Sequence, residues 1–200
     1  MYACPDWDYW LYEEVKRQTS PYYFLSSTMI EPKMTGNQCV IAPFNVGTDL
    51  ESFDEKLLLE QYQNLEKDDW QGATWPPNLV PIVLWDMVGG YSTEFSPGMY
   101  SDPDFSMKLW QLGVREFKGI SKSRVYHFMS KSTGRLTIKR DGSNVFLQKW
   151  GITSNLFVRF YLNRGQRWLG ILQMPKPNFP LTIRYIISDI KRRLKSSSLS

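Results

Sequence analysis

The sequence predicts an α/β fold, a sheet with helices packed on it. Three observations lead there. Apolar residues make up 42% and charged residues 22% of the 200-residue chain, a balance that supports a packed core and excludes a disordered one. Strand-like and helix-like patterns alternate irregularly along it. Two stretches, 53 to 69 and 181 to 195, repeat apolar residues at helical spacing.

The elements follow in order. "CPDWDYWLYEEVKRQ" opens with Pro5 and acids and closes with Lys16 and Arg17, the charge order a helix dipole favours, and places Trp7, Trp10, Leu11 and Val15 on one face. "YYFLSSTMIE" (22 to 31) predicts a buried strand, and residues 32 to 52, with Pro, Gly and Asn, a long loop. "FDEKLLLEQYQNLEKDD" (53 to 69) predicts an amphipathic helix through Leu57, Leu58, Tyr62 and Leu65. From 70 to 95 we expect a Pro-rich turn, a short strand near 79 to 83, a helical turn at Trp85-Asp86 and a break at Gly89-Gly90.

In "SDPDFSMKLWQLG", Asp102 is placed to cap a helix and Pro103 to occupy its first position. Phe105, Leu109 and Leu112 form the buried stripe, and Gly113 ends the helix. "VREFKGISKSRVYHF" predicts one or two strands around Gly119 that end at His127. Residues 142 to 165 predict a helix broken near Gly151, and "PKPNFP" a stiff linker. "LTIRYIISDIKRRLK" predicts a helix with Ile183, Ile186, Ile187, Ile190 and Leu194 set against Arg184, Lys191, Arg192 and Arg193.

Bulk properties narrow the functional classes. The formal charge is +4, with acids concentrated in residues 1 to 104 and Lys and Arg dominant from Lys108 onward. That asymmetry fits an anionic partner, a nucleotide or a membrane surface, near the C-terminal half; no nucleic-acid recognition motif occurs. Eight Trp and eleven Tyr suit either a surface that holds sugars or an irregular core. Cys4 and Cys39 show neither metal spacing nor a disulfide framework. No signal-peptide pattern and no apolar run of spanning length occur, so a cytoplasmic protein is expected. No glycine-rich phosphate loop is present.

Asp102, Asp104 and His127 are the most concrete chemical constellation. One carboxylate can accept a proton from a substrate hydroxyl, and a second carboxylate with an imidazole can hold a divalent ion. The structural alternative is Asp102 as helix cap, Asp104 as a partner of the helix dipole and His127 as a hydrogen-bonded strand residue. Glu31, Trp75 and Trp85 are further candidates for ligand contact, and Asp6 and Asp8 form an acidic pair at a helix start. The cations Lys118, Lys122, Arg124, Lys131 and Arg135 surround His127 in sequence and could hold a diphosphate or form a solvated face.

Over residues 70 to 135 the order of these pieces resembles the second half of a family 2 glycosyltransferase with the GT-A fold. The pieces are Trp85, Gly89-Gly90-Tyr91, Ser101-Asp102-Pro103-Asp104-Phe105, Lys108, Gly113 and Tyr126-His127. The resemblance implies a partial GT-A-like mixed sheet over residues 1 to 140 and a helical extension over 141 to 200. It implies inverting sugar transfer from a nucleotide-diphosphate sugar to a saccharide or lipid-linked hydroxyl acceptor. Asp102 would be the base, with Asp104 and His127 at a Mn²⁺ or Mg²⁺ ion. Trp85, Gly89, Gly90, Tyr91, Trp75, Glu31 and Lys108 would contact substrate, and Lys131 and Arg135 the donor diphosphate.

Three features depart from the family pattern. Ser101 replaces the usual acid, Lys108 stands where Arg is common, and the nucleotide-binding half with its paired metal-binding acids is missing. The expectation is therefore a C-terminal portion whose donor-binding half lies upstream of Met1 or on a separate chain. Three competing readings remain: a non-catalytic carbohydrate-binding or assembly module derived from a glycosyltransferase, a metal-dependent phosphate-ester enzyme of another fold, and a peripheral membrane adaptor led by residues 181 to 195.

Overall fold

The frame is a five-stranded mixed sheet with strand order β1-β5-β2-β4, in which β3 also pairs with β5. The computed structural model describes residues 1–96, 99–129 and 141–196. The strands are β1 (Tyr2–Ala3), β2 (Tyr23–Ile30), β3 (Trp70–Gln71), β4 (Asn78–Leu79) and β5 (Glu116–Tyr126). The helices are α1 (Trp7–Val15), α2 (Glu55–Gln61), α3 (Ile82–Val88), α4 (Ser101–Gln111), α5 (Gly142–Trp150), α6 (Ser154–Leu156) and α7 (Phe179–Ser196). A π-helical turn, Phe157–Tyr161, continues α6. The α/β class read from the sequence is the observed one.

The two long strands, β2 and β5, run parallel at the centre, and β1, β3 and β4 pair antiparallel with them. Alternation along β2 divides the core. Tyr23 and Leu25 face α1, where Leu11, Trp7, Trp10 and Val15 pack as their spacing predicts. Phe24 faces the opposite layer, with Phe105, Leu109 and Trp110 of α4, Phe117 of β5, Phe146 of α5 and Phe157. Helix α5 and the π-helical turn that continues α6 thus share one core with the sheet. A third cluster gathers Ile30, Tyr126 and Phe128 with Leu58 and Tyr62.

The centre of β2 is polar yet fully buried: Ser26, Ser27 and Thr28 are each 0% exposed. The pairing with β5 explains this. Ser27 pairs with Ile120 but Thr28 with Arg124, so Ser121, Lys122 and Ser123 bulge from β5. Hydroxyls satisfy the interrupted ladder: Ser27 Oγ meets Ser123 Oγ at 2.7 Å, and Thr28 Oγ1 donates to the Ile120 carbonyl at 2.8 Å. Asp69 accepts from both the amide and the hydroxyl of Ser121 at 2.8 Å.

Several expectations are corrected in detail. The helix expected over 53 to 69 ends at Gln61 and tightens into a 3₁₀ turn, Tyr62–Asn64. Arg124 donates to the carbonyls of Tyr62 and Leu65 there. The strand expected near 79 to 83 stops at Leu79, because Pro81 occupies the N-cap position of α3. The stretch around Gly119 is a single strand. Gly119 is required because a Cβ there would lie 1.9 Å from the Trp70 ring. Cys4 and Cys39 are free, buried thiols, each pushed up to about 12 by burial.

Candidate functional site

The site forms where α4 begins. Tyr100, in the left-handed conformation at φ 75°, is the N-cap and provides no side-chain hydrogen bond to the helix. Asp102 is therefore not the cap that the sequence predicts: Ser101 opens the helix, Asp102 is second and Pro103 third. Proline is tolerated there because first-turn amides lack helical partners in any case. The consequence is chemical, since a capping carboxylate is tied to backbone amides and this one is not.

Asp102 instead lines a cleft of about 640 Å³ with Pro76, Pro77, Asn78, Tyr91 and Ser101. No hydrogen bond to its carboxylate occurs among the described residues, and burial pushes its pKa up from 3.8 to about 6. The start of a helix normally favours a negative charge; here desolvation outweighs it. Tyr91 borders the same cleft, its hydroxyl accepting from Asn78 Nδ2 at 3.3 Å. Burial, and to a smaller degree the Asp102 charge, raise the Tyr91 phenol.

Asp104 lies two residues on, about 200° around the helix, in the opposite environment. It is 0% exposed. Its carboxylate accepts from Ser92 Oγ at 2.7 Å and Trp150 Nε1 at 2.8 Å, and pairs with Lys149 Nζ at 2.9 Å. Lys149 also pairs with Glu94 at 2.6 Å. These bonds tie α4 to α5 and to the 3₁₀ turn Thr93–Phe95.

The Gly89-Gly90 turn is held from below. Gly89 ends α3 in the left-handed conformation, and Lys108 Nζ donates to the carbonyls of Val88 at 3.2 Å and Gly90 at 2.9 Å. Lys108 is thus engaged with the turn. The turn positions Tyr91 against Phe105, with ring centroids 4.8 Å apart, and against Trp85 at 5.5 Å. A Cβ on Gly90 would lie 2.7 Å from the Trp85 ring, whereas one on Gly89 meets open space. Trp75 is largely a core residue, its ring tilted against Trp70 with centroids 5.0 Å apart. Its Nε1 is a buried side-chain donor without a partner among the described residues.

Glu31 and His127, proposed separately from the sequence, meet at the ends of β2 and β5. Glu31 Oε1 lies 2.9 Å from His127 Nδ1, and the His127 amide donates to the Ile30 carbonyl at 2.8 Å. A carboxylate can only accept, so Nδ1 carries the proton and Nε2 is the ring position left over. A carboxylate behind an imidazole is also the arrangement that orients metal-ligating histidines, so His127 suits the expected divalent ion as a single ligand. Asp104 does not suit it, because Ser92, Trp150 and Lys149 occupy its oxygens. Among the described residues, no three His, Cys, Asp or Glu side chains stand close enough together to hold a metal ion.

Two of the flanking cations are structural. Lys118 is buried between Glu14 at 2.6 Å and Asp69 at 3.2 Å, and Arg124 caps the turn after α2. Lys122 lies over the Trp10 ring at 4.5 Å. Lys131 and Arg135 lie outside the described residues. The sequence reading missed Asn78, Lys149 and Trp150. The "PPN" turn is a signal for Asn78, but nothing local to α5 announces that Lys149 and Trp150 reach back to Asp104.

No match emerges from comparison with protein-family models, with curated proteins or with solved structures. The functional reading therefore rests on the cleft and on the motif resemblance.

Proposed function

We propose that this chain carries the acceptor side of an inverting glycosyltransferase of the GT-A type, with Asp102 as its base. The single observation that carries the reading is the Asp102 carboxylate, desolvated, without hydrogen-bond partners among the described residues and facing a cleft of about 640 Å³. A carboxyl group with pKa about 6 is mostly ionised at pH 7 and a stronger base than a solvated aspartate, as general-base catalysis requires.

The step follows from that group. An acceptor hydroxyl in the cleft gives its proton to Asp102 as its oxygen attacks the anomeric carbon. The new C–O bond forms on the face opposite the departing nucleoside diphosphate, whose C–O bond breaks, so the configuration inverts. Tyr91 and the Gly89-Gly90 turn shape the wall that orients the acceptor. A Mn²⁺ or Mg²⁺ ion, when bound, offsets the charge on the departing diphosphate; from this chain His127 would contribute one ligand to it. The donor-binding half and the remaining ligands come, on this reading, from an upstream segment or a separate chain.

The test uses the protein as it occurs in the cell, assayed with nucleotide-diphosphate sugars and Mn²⁺. Asp102→Asn removes proton acceptance with little change in shape, so transfer is expected to vanish while sugar binding persists. Transfer at the wild-type rate in Asp102→Asn would sink the assignment. A non-catalytic carbohydrate-binding role uses the same cleft, where Tyr91 is 36% exposed. It is distinguished by sugar binding without transfer in the wild-type protein.

A further inference from the structure

Helix α7 docks the opposite way from an ordinary surface helix. Leu181 and Ser188, 3% and 1% exposed, face the protein. That side is held by polar contacts: Ser188 Oγ accepts from the Thr153 amide at 3.3 Å, Lys195 pairs with Asp141 at 2.6 Å, and the hydroxyls of Tyr185 and Tyr161 bond to each other. About 200° around the helix from Leu181 runs an apolar stripe. Phe179, Ile183, Ile186, Ile190 and Leu194 are 79%, 38%, 54%, 51% and 68% exposed. An amphipathic helix normally buries such a stripe. Here the polar side is packed on the protein and the apolar side faces out.

Charge indicates what covers the stripe. Between Phe179 and Ser196 the helix carries Arg184, Lys191, Arg192, Arg193 and Lys195 against a single acid, Asp189. Its excess of four cations equals the formal charge of the entire chain, +4. A second copy would bring the same excess and be repelled. An anionic bilayer surface offers an apolar layer beneath a negative one, which is the complement of this face. Among the described residues no helix is long and apolar enough to cross a membrane, so the contact lies in the plane of the interface.

We propose that α7 is a preformed interfacial anchor that seats this protein on anionic lipid, with Phe179, Ile183, Ile186, Ile190 and Leu194 in the acyl boundary and Lys191 and Arg193 at the headgroups. The inference is independent of the proposed glycosyl transfer.

Co-sedimentation of the full chain with vesicles tests it, comparing phosphatidylcholine alone with a 7:3 mixture of phosphatidylcholine and phosphatidylglycerol. Binding is expected only to the anionic vesicles, and is expected to weaken between low and high salt. Ile186→Glu/Ile190→Glu replaces exposed residues with a good helix former, so circular dichroism and Tm should hold while partition falls at least tenfold. Lys191→Gln/Arg193→Gln, which leaves the apolar stripe intact, should cost about fivefold in partition per cation removed. Equal binding to both vesicle types, or undiminished binding by the glutamate variant, overturns the proposal. So does a dimer that the glutamate variant dissociates, without vesicle binding by the wild type, since a second copy would then cover the stripe.

Discussion

Asp102→Asn has a consequence for stability as well as for the proposed transfer, and its sign is unusual. Burial raises the folded-state pKa of Asp102 from 3.8 to about 6. The folded protein therefore favours the protonated carboxyl, and stability is lost as pH rises from the unfolded value toward the folded one. The two values differ by roughly two units, and each is 1.36 kcal/mol, so the ionised carboxylate costs the fold at most about 3 kcal/mol above pH 6. Partial access to cleft water lowers this to about 2 kcal/mol. Asparagine mimics the protonated form at every pH.

The expected result is a difference curve. Near pH 4 the variant and wild type unfold at nearly the same urea concentration. Between pH 4 and 7 the variant gains about 2 kcal/mol, equivalent to ~4–8 °C in Tm for a chain of this size. Measuring the variant against wild type at each pH cancels the titration of the other carboxylates. A flat difference between pH 4 and 8, or a variant less stable at pH 7.5, would refute the reasoning, because Asp102 would then be solvated or hydrogen-bonded. If Asp102 is the base proposed above, the transfer rate should rise through about pH 6, since the base acts ionised.

Other substitutions probe the supports of the site. Lys149→Met strips Asp104 of its cation and should cost about 2–4 kcal/mol in urea unfolding, with Asp104→Asn in the same chain restoring most of the loss; additive losses would contradict the pairing. Gly89→Ala should cost about 1 kcal/mol for its left-handed backbone alone. Gly90→Ala should cost clearly more and shift Trp85 fluorescence, because its Cβ would meet that ring; equal effects would show that the turn does not fix Trp85. Glu31→Gln should release the His127 ring from one tautomer into a mixture, read by ¹⁵N chemical shifts of the imidazole; an unchanged spectrum would mean that Glu31 does not orient it.

The fold was legible where chemistry is local. The β-rich run of β2, the period of 3.6 in α1 and α7 and the glycines at 89, 113 and 151 each act within one or two turns of chain. The sequence hid what depends on distant partners. The eleven-residue β5 looked interruptible at Gly119, since only Trp70, far back in the chain, explains that glycine. The bulge that buries Ser26, Ser27 and Thr28 arises from β5 and leaves no mark in β2. The stripe on α7 was visible, but which side docks depends on Asp141, Thr153 and Tyr161. Lys108 looked like a ligand contact because its carbonyl partners at Val88 and Gly90 carry no side-chain signature.

Asp-Pro-Asp shows most clearly how placement decides chemistry. Two carboxylates separated by one residue on a helix cannot share an environment, because 200° of rotation sends them to opposite sides. One must face inward. Asp104 does, and it persists there only because Lys149, Trp150 and Ser92 compensate its charge. That fixes α4 against α5, and with it the direction in which Asp102 points. Had Asp102 capped the helix, backbone amides would have held its pKa down and occupied its oxygens. Tyr100, taking the cap position with a left-handed backbone, places Asp102 two positions into the helix and leaves its carboxylate without a hydrogen bond among the described residues. A fully paired aspartate and one that takes no hydrogen bond among the described residues, two residues apart, fit the proposed division between a structural anchor and a general base.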